Sequence, residues 1–306
     1  MTRCLSYAVP LEWEGAAVKD FAKKRLGFSA HVLAQQKRAE GGILLNGVPV
    51  FTTALLKAGD MLSFCLPLPE GTYPPERLPF SVLFETEDFL VVHKPAGMPV
   101  HPSPGHDRDS LLNGAAYYYQ AKGALCPLLC PLYRLDRDTS GAIALGKHTL
   151  AVSGTALEKT YFALCQGTLS GRGTIDVPIG LEEGSKIKRQ CGSGQRAVTH
   201  WEALESGGGH TLLAVRLETG RTHQIRAHFS YMGYPLAGDD LYGGSHALIG
   251  RQALHCGVLH MKSVALDMDR TFAAKFPPDM QEAFPWLPDV EDMMKSEKGR
   301  CKCQPA

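Results

Sequence analysis

The pattern of apolar and polar positions divides the chain into a small head and a large body. Within residues 18–26, the apolar positions Val18, Phe21, Ala22 and Leu26 recur near helical spacing, and Gly27 ends the run. Ser29 stands where a second helix needs an N-cap; that helix reaches about Ala39 and ends at Gly41-Gly42. Residues 43–45 and 48–51 flank Asn46-Gly47, a pair suited to a two-residue hairpin turn because both members tolerate positive φ. Residues 55–59 add a turn and 60–66 another strand. Residues 16–66 thus predict a compact unit. The proline-rich joint that follows, PLPEGTYPPERLP at 67–79, suits neither a helix interior nor a central strand and reads as an extended, flexible linker.

In the body, strand patterns occur at 82–84 and 90–93 around an acidic turn, then at 142–145, 161–166, 198–204 and 212–217. One helix is well marked at 222–231: Ile225, Phe229 and Met232 repeat at helical spacing, Gly233 is a C-cap, and Pro235 lies just beyond. Residues 289–306 are charged and aperiodic, and loose order is expected there.

Composition narrows the class. With 44% hydrophobic and 21% charged residues the chain can bury a core, which excludes disorder over most of its length. Lys+Arg at 32 against Asp+Glu at 31 excludes a wholly basic nucleic-acid binder but not a local basic patch. No apolar run is long enough for a membrane helix, and the first residues lack the apolar core of a secretory signal. Nine scattered Cys suggest free thiols in a reducing cytoplasm. Cys126 with Cys130, and Cys301 with Cys303, lack the further spaced ligands of a closed zinc site. Abundant Gly and Pro fit a strand-rich α+β protein.

Three segments carry candidate chemistry. In LYRLDRDTSG, at 132–141, Asp136 lies between Arg134 and Arg137. A carboxylate among guanidiniums stays ionised and can serve as nucleophile or base, although a structural ion pair would look the same in sequence. In LETGRTHQIRAH, at 217–228, Arg221 sits at a strand-to-helix junction, where an anion or carboxylate can be held. In KTY, at 159–161, Tyr161 opens an apolar strand and offers either a core side chain or a flat face with a hydroxyl. Lys94-Pro95-Ala96-Gly97 reads as a turn shaping a cleft, not as a phosphate loop.

These motifs, taken in order, resemble those of the RluA family of RNA pseudouridine synthases. The likeness runs from about Phe84 to Leu266 and includes LVVHKPAGMPVHPSPG, RLDRDTSG, KTYFALCQG, ETGRTHQIRAH and RQALHC. It implies a mixed, mainly antiparallel α+β catalytic domain over 80–288. The small α/β head, 1–66, resembles an S4 RNA-binding domain. By this resemblance Asp136 is the catalytic aspartate, Tyr161 stacks on the target base, and Arg221 pairs with the aspartate. Two departures are visible: Tyr133 stands where many members have His, and the segment between Gly141 and Lys159 is short. The implied reaction isomerises uridine to pseudouridine in RNA without a cofactor or metal, on a base taken out of its stack.

The head adds Lys19, Lys23, Lys24, Arg25, Lys37 and Arg38 on its two helices, a patch suited to RNA phosphates. The expected partner is RNA, ribosomal before transfer RNA, with no membrane contact, for a cytoplasmic monomer. The competing readings are a non-catalytic RNA-binding assembly factor on the same fold and a carboxylate-dependent glycosidase, which would need a second acid.

Overall fold

The computed structural model describes residues 2–301. Its head is a four-stranded antiparallel sheet of β1 (Thr2–Ala8), β2 (Ile43–Leu45), β3 (Val48–Pro49) and β4 (Met61–Pro67), in the order β1-β4-β2-β3. Helix α1 (Val18–Asp20) runs on as a π-helical turn over Phe21–Arg25, and α2 (Ala30–Arg38) follows. The Ser29 hydroxyl accepts from the Val32 N–H at 3.2 Å, the expected cap. Asn46 and Gly47 take φ of 53° and 82°, as the hairpin turn requires. Val18, Phe21, Ala22, Val32 and Leu33 are buried against Leu62, Phe64 and Leu66 of β4.

Strand β1 lies outside the unit expected at 16–66. Only Leu5 of its seven residues is buried, so its apolar signal is weak, yet it pairs with β4 from Thr2↔Pro67 to Ala8↔Met61. That register sets Cys4 opposite Cys65, with Cα atoms 4.0 Å apart, and the two form a disulfide. The expectation that all thiols are free fails for this pair.

The proline-rich joint is extended but pinned, not flexible. Pro69 and Pro74 carbonyls accept from Leu128 N–H at 2.7 Å and Asn113 Nδ2 at 2.9 Å, and the Gly71 N–H donates to Cys126 at 2.9 Å. Tyr73, Leu78 and Phe80 pack on the body core. The head is docked as well: Leu150 and Ala265 of the body are buried in the head's own core. The Tyr7 hydroxyl donates to the Ala265 carbonyl at 2.8 Å, and Arg3 Nε donates to Asp88 at 3.0 Å.

The body is built on ten strands. They are β5 (Ser81–Glu85), β6 (Phe89–Lys94), β7 (Cys130–Pro131), β8 (Ser140–Gly146), β9 (Ala156–Gln166), β10 (Arg172–Asp176), β13 (Val198–Gly207), β14 (His210–Leu217), β15 (Leu254–Ser263) and β16 (Met268–Ala273). The order is β10-β13-β14-β9-β15-β8-β6-β5, with β16 beside β15 and β7 beside β8. A separate hairpin joins β11 (Ile179–Leu181) to β12 (Arg189–Cys191). Within the ten-stranded sheet, pairing is antiparallel except between β15 and β8, the mixed sheet of the expected α+β class.

Alternation along β9 sorts the two faces. Tyr161, Ala163 and Cys165 join the layer under α3 (Leu111–Ala121) and α5 (Gln224–Tyr231). Phe162 and Leu164 join the layer under α6 (Pro278–Ala283) and α7 (Val290–Cys301). Helix α7 corrects the expectation of loose order after 289. Val290 and Met293, one turn apart, are buried beside Phe276, Met280 and Phe284, a spacing too brief to register as periodicity. Residues 302–306 of that tail lie outside the described residues. The short segment before Lys159 holds a one-turn helix, α4 (Thr149–Ser153), whose Leu150 is the side chain seated in the head. Among the described residues no helix is long and apolar enough to cross a membrane.

Candidate active site

Asp136 lies on the loop between β7 and β8, and that loop is held from three sides. Lys94, fully buried at the end of β6, donates to the carbonyls of Pro95 and Met98 at 2.8 Å and of Arg137 at 2.9 Å. Arg251 Nη1 donates to the Asp138 carbonyl at 3.0 Å while its Nε and Nη2 grip Asp279 at 2.7 and 3.0 Å. The Tyr133 hydroxyl donates to the Ala142 carbonyl at 2.6 Å. Burial pushes the Lys94 ammonium down to about 7, partly offset by Asp138 and Asp136. Lys94-Pro95-Ala96-Gly97 is thus the expected turn, but its lysine faces inward to fix the loop.

Gly141 starts the strand that leaves this loop. Its φ is 124°, and a Cβ there would lie 2.3 Å from the Cys256 carbonyl oxygen. Only glycine lets β8 and β15 approach at the Cys256↔Gly141 pair.

Asp136 opens into a cleft of about 730 Å³ that Tyr161, Lys159, Arg134, Arg221, His223 and Arg226 also line. The cation nearest its carboxylate is Arg226, in the first turn of α5, with Nη1 3.8 Å from Oδ2. Arg226 is itself clamped: Nε and Nη2 each reach Asp239 at 2.7 Å, and the guanidinium lies 5.0 Å from the Tyr242 ring centroid.

This corrects the expected pairing of Arg221 with Asp136. Arg221 is exposed at the rim, and its Nε donates to the Arg196 carbonyl at 3.1 Å. It stands before the helix, whereas Arg226 shares the inward face of α5 with Ile225 and Phe229. The sequence held a usable signal, since the helix phase distinguishes the two arginines of one motif. The flanking guanidiniums differ from expectation too: Arg137 forms a two-point pair with Asp138 at 3.0 Å, and Arg134 is exposed at the cleft rim.

Tyr161 sits in the cleft wall, 6% exposed, opposite Cys256 on β15. Burial, with Cys256 and Asp136 nearby, raises its phenol well above the usual range, so it stays protonated. Lys159 lies 4.6 Å over the ring of Tyr133, the residue that stands where many members of the resembled family have His. The basic residues Lys23, Lys24, Arg25, Lys37 and Arg38 are exposed on the head and do not line the cleft.

A carboxylate on a loop held by Lys94 and Arg251 shares one cleft with a guanidinium and a protonated tyrosine, a set of groups suited to nucleophilic or acid–base chemistry. The family model described as RNA pseudouridylate synthase matches residues 88–231, a span holding Asp136, Tyr161 and Arg226. Over 276 residues the chain is 37% identical to the uncharacterized RNA pseudouridine synthase YjbO of Bacillus subtilis, covering 87% of this chain and 97% of that protein. It is 35% identical over 257 residues to the ribosomal large subunit pseudouridine synthase D of Zymomonas mobilis, covering 76% of this chain and 80% of that one. Human RNA Pseudouridylate Synthase Domain Containing 1 shares the fold, with a TM-score of 0.58 at 23% identity over 76% of this chain and 99% of that chain. The chain belongs to the RNA pseudouridine synthases, isomerases that convert uridine to pseudouridine within RNA.

Proposed function

We propose that this chain modifies uridine in ribosomal RNA, with Asp136 as the catalytic carboxylate, Tyr161 as the ring against which the uracil packs, and Arg226 as the cation that holds the Asp136 carboxylate in place. The observation that carries the assignment is the Arg226–Asp136 approach of 3.8 Å inside the cleft that Tyr161 also lines. Isomerisation breaks N1–C1′, turns the uracil and joins C5 to C1′. One proton leaves C5 and one arrives at N1, so the reaction has no net redox change. Attack at C1′, attack at the base and removal of a sugar proton all demand a carboxylate in a fixed place, and the Lys94 and Arg251 contacts hold the loop that carries it.

The glycosidase reading lacks support in the cleft. Its other lining carboxylate, Glu218, is engaged by His200 at 2.8 Å and Arg196 at 3.3 Å. Asp239 nearby is committed to Arg226. The non-catalytic reading has no observation in its favour.

The head is the proposed RNA anchor, an S4-like module acting through Lys23, Lys24, Arg25, Lys37 and Arg38. All five are exposed. Phosphate contacts from such a patch add affinity without base specificity. Ribosomal RNA is favoured because a relative over most of this length is named for the large ribosomal subunit.

The test is a pseudouridine map of total RNA from cells with and without the gene. The proposal expects loss of modification in ribosomal RNA. Loss confined to transfer RNA would refute the substrate assignment.

A further inference from the structure

His223 stands at the junction of β14 and α5, in the left-handed region at φ 57°. It lines the same cleft as Asp136. Its Nδ1 lies 3.0 Å from the Tyr242 hydroxyl, and that hydroxyl oxygen also accepts the Arg189 N–H at 2.9 Å. The phenol has one proton to give, and in the tautomer that receives it Nδ1 is the acceptor and the imidazole carries its own proton on Nε2. Among the described residues no hydrogen-bond partner meets Nε2.

We propose that His223 is a further substrate-contacting residue, which Tyr242 orients so that Nε2–H meets a carbonyl oxygen of the bound uracil. The proposal rests on the reading of this cleft as the uridine site. Tyr242 is the positioning residue. It is 5% exposed, its ring meets His223 edge-on at 5.7 Å, and the Arg226 guanidinium lies 5.0 Å from its centroid. One tyrosine thus fixes both the cation beside Asp136 and the imidazole.

The charge state suits a donor. Burial lowers the His223 pKa; Asp136 and Asp239 act to raise it, while Arg226 and Arg189 act to lower it. The ring is neutral at pH 7 and offers a hydrogen bond without adding a positive charge. When N1–C1′ breaks, the bonding electron pair stays on the uracil and spreads onto its carbonyl oxygens. A fixed donor at one of those oxygens gains strength as that charge develops, so its effect falls on the rate more than on binding.

The test uses His223→Asn, because Asn tolerates positive φ, and Tyr242→Phe, which keeps the ring under Arg226. The full-length proteins act in single turnover on total RNA from cells lacking the gene. His223→Asn is expected to slow turnover about ten- to hundredfold with little change in RNA affinity. Tyr242→Phe is expected to slow it about three- to tenfold. Nitrogen-15 imidazole spectra at pH 7 should show the proton on Nε2 of His223 in the wild type and mixed tautomers in Tyr242→Phe. An unchanged rate in folded His223→Asn, a loss of affinity at unchanged rate, or a proton on Nδ1 in the wild type would each overturn the proposal. Absence of turnover by the wild type would instead overturn the reading of the cleft, and the tautomer spectra would still judge His223.

Discussion

Replacing Arg226 by Gln removes one guanidinium that serves two carboxylates, and the two losses can be separated. Asp239 is fully buried and receives both of its 2.7 Å contacts from Arg226. Stranding a buried carboxylate costs roughly 3–5 kcal/mol, or a fall in midpoint of roughly 5–8 °C for a chain of this size. The attraction to Asp136 at 3.8 Å is about 4 kcal/mol at an effective dielectric near 20. Exposure of 28% of the Asp136 side chain reduces that toward ~1–2 kcal/mol, still about tenfold in rate. Arg226→Gln should therefore lower both urea-unfolding stability and tritium release from RNA carrying 5-tritiated uridine. Adding Asp239→Asn removes the stranded charge, so stability should recover while turnover stays low. Arg221→Ala, at an exposed rim position, should change stability by no more than about 0.5 kcal/mol and turnover only slightly. An Arg221→Ala defect as deep as that of Arg226→Gln, or full recovery of turnover in the double variant, would refute the assignment of Arg226.

Three further outcomes are expected. Lys94→Met leaves the carbonyls of Pro95, Met98 and Arg137 without their donor; stability should fall by about 3 kcal/mol or more in urea unfolding and turnover should fall with it. Burial acts to raise the Glu85 pKa, but hydrogen bonds from Lys147, Tyr118, Tyr119 and Lys122 outweigh it and hold the carboxyl at about 2. Because the folded value is depressed, its contribution is present above the unfolded pKa of about 4.3 and is lost as pH falls toward 2, so Glu85→Gln should flatten acid unfolding across that window. Changing Lys23, Lys24, Arg25, Lys37 and Arg38 to Gln should weaken RNA binding and reduce the log–log salt slope by up to about four, with single-turnover chemistry kept at saturating enzyme; an unchanged slope would make the patch a solvated face. Charge substitution is the right perturbation here because deleting the head would expose Leu150 and Ala265, which it covers.

What the sequence made legible was local. Ser29, Asn46-Gly47 and the spacing of Ile225 and Phe229 act through the next few residues, and the cap, the hairpin and α5 formed as expected. The motif loop carrying Asp136 was legible because its residue types are particular. What escaped depends on partners far along the chain. Arg137 turned to its neighbour Asp138, while the cation beside Asp136 came from 90 positions away on α5. The prolines at 67–79 indicated an extended path, but not that carbonyls there would find donors at Leu128 and Asn113. Strand β1, with one buried side chain, gains its place from pairing with β4, a term that apolar periodicity does not record.

The central claim is that the Asp136 carboxylate performs the isomerisation. The direct measurement is tritium release and pseudouridine formation by purified wild type and Asp136→Asn, on total RNA from cells lacking the gene, at matched RNA occupancy. Asn keeps the side chain's shape and removes its charge. The account predicts full conversion of the target uridine by the wild type, none measurable by Asp136→Asn, and closely similar RNA affinity and unfolding midpoint for the two. Substantial conversion by the folded Asp136→Asn protein would contradict it.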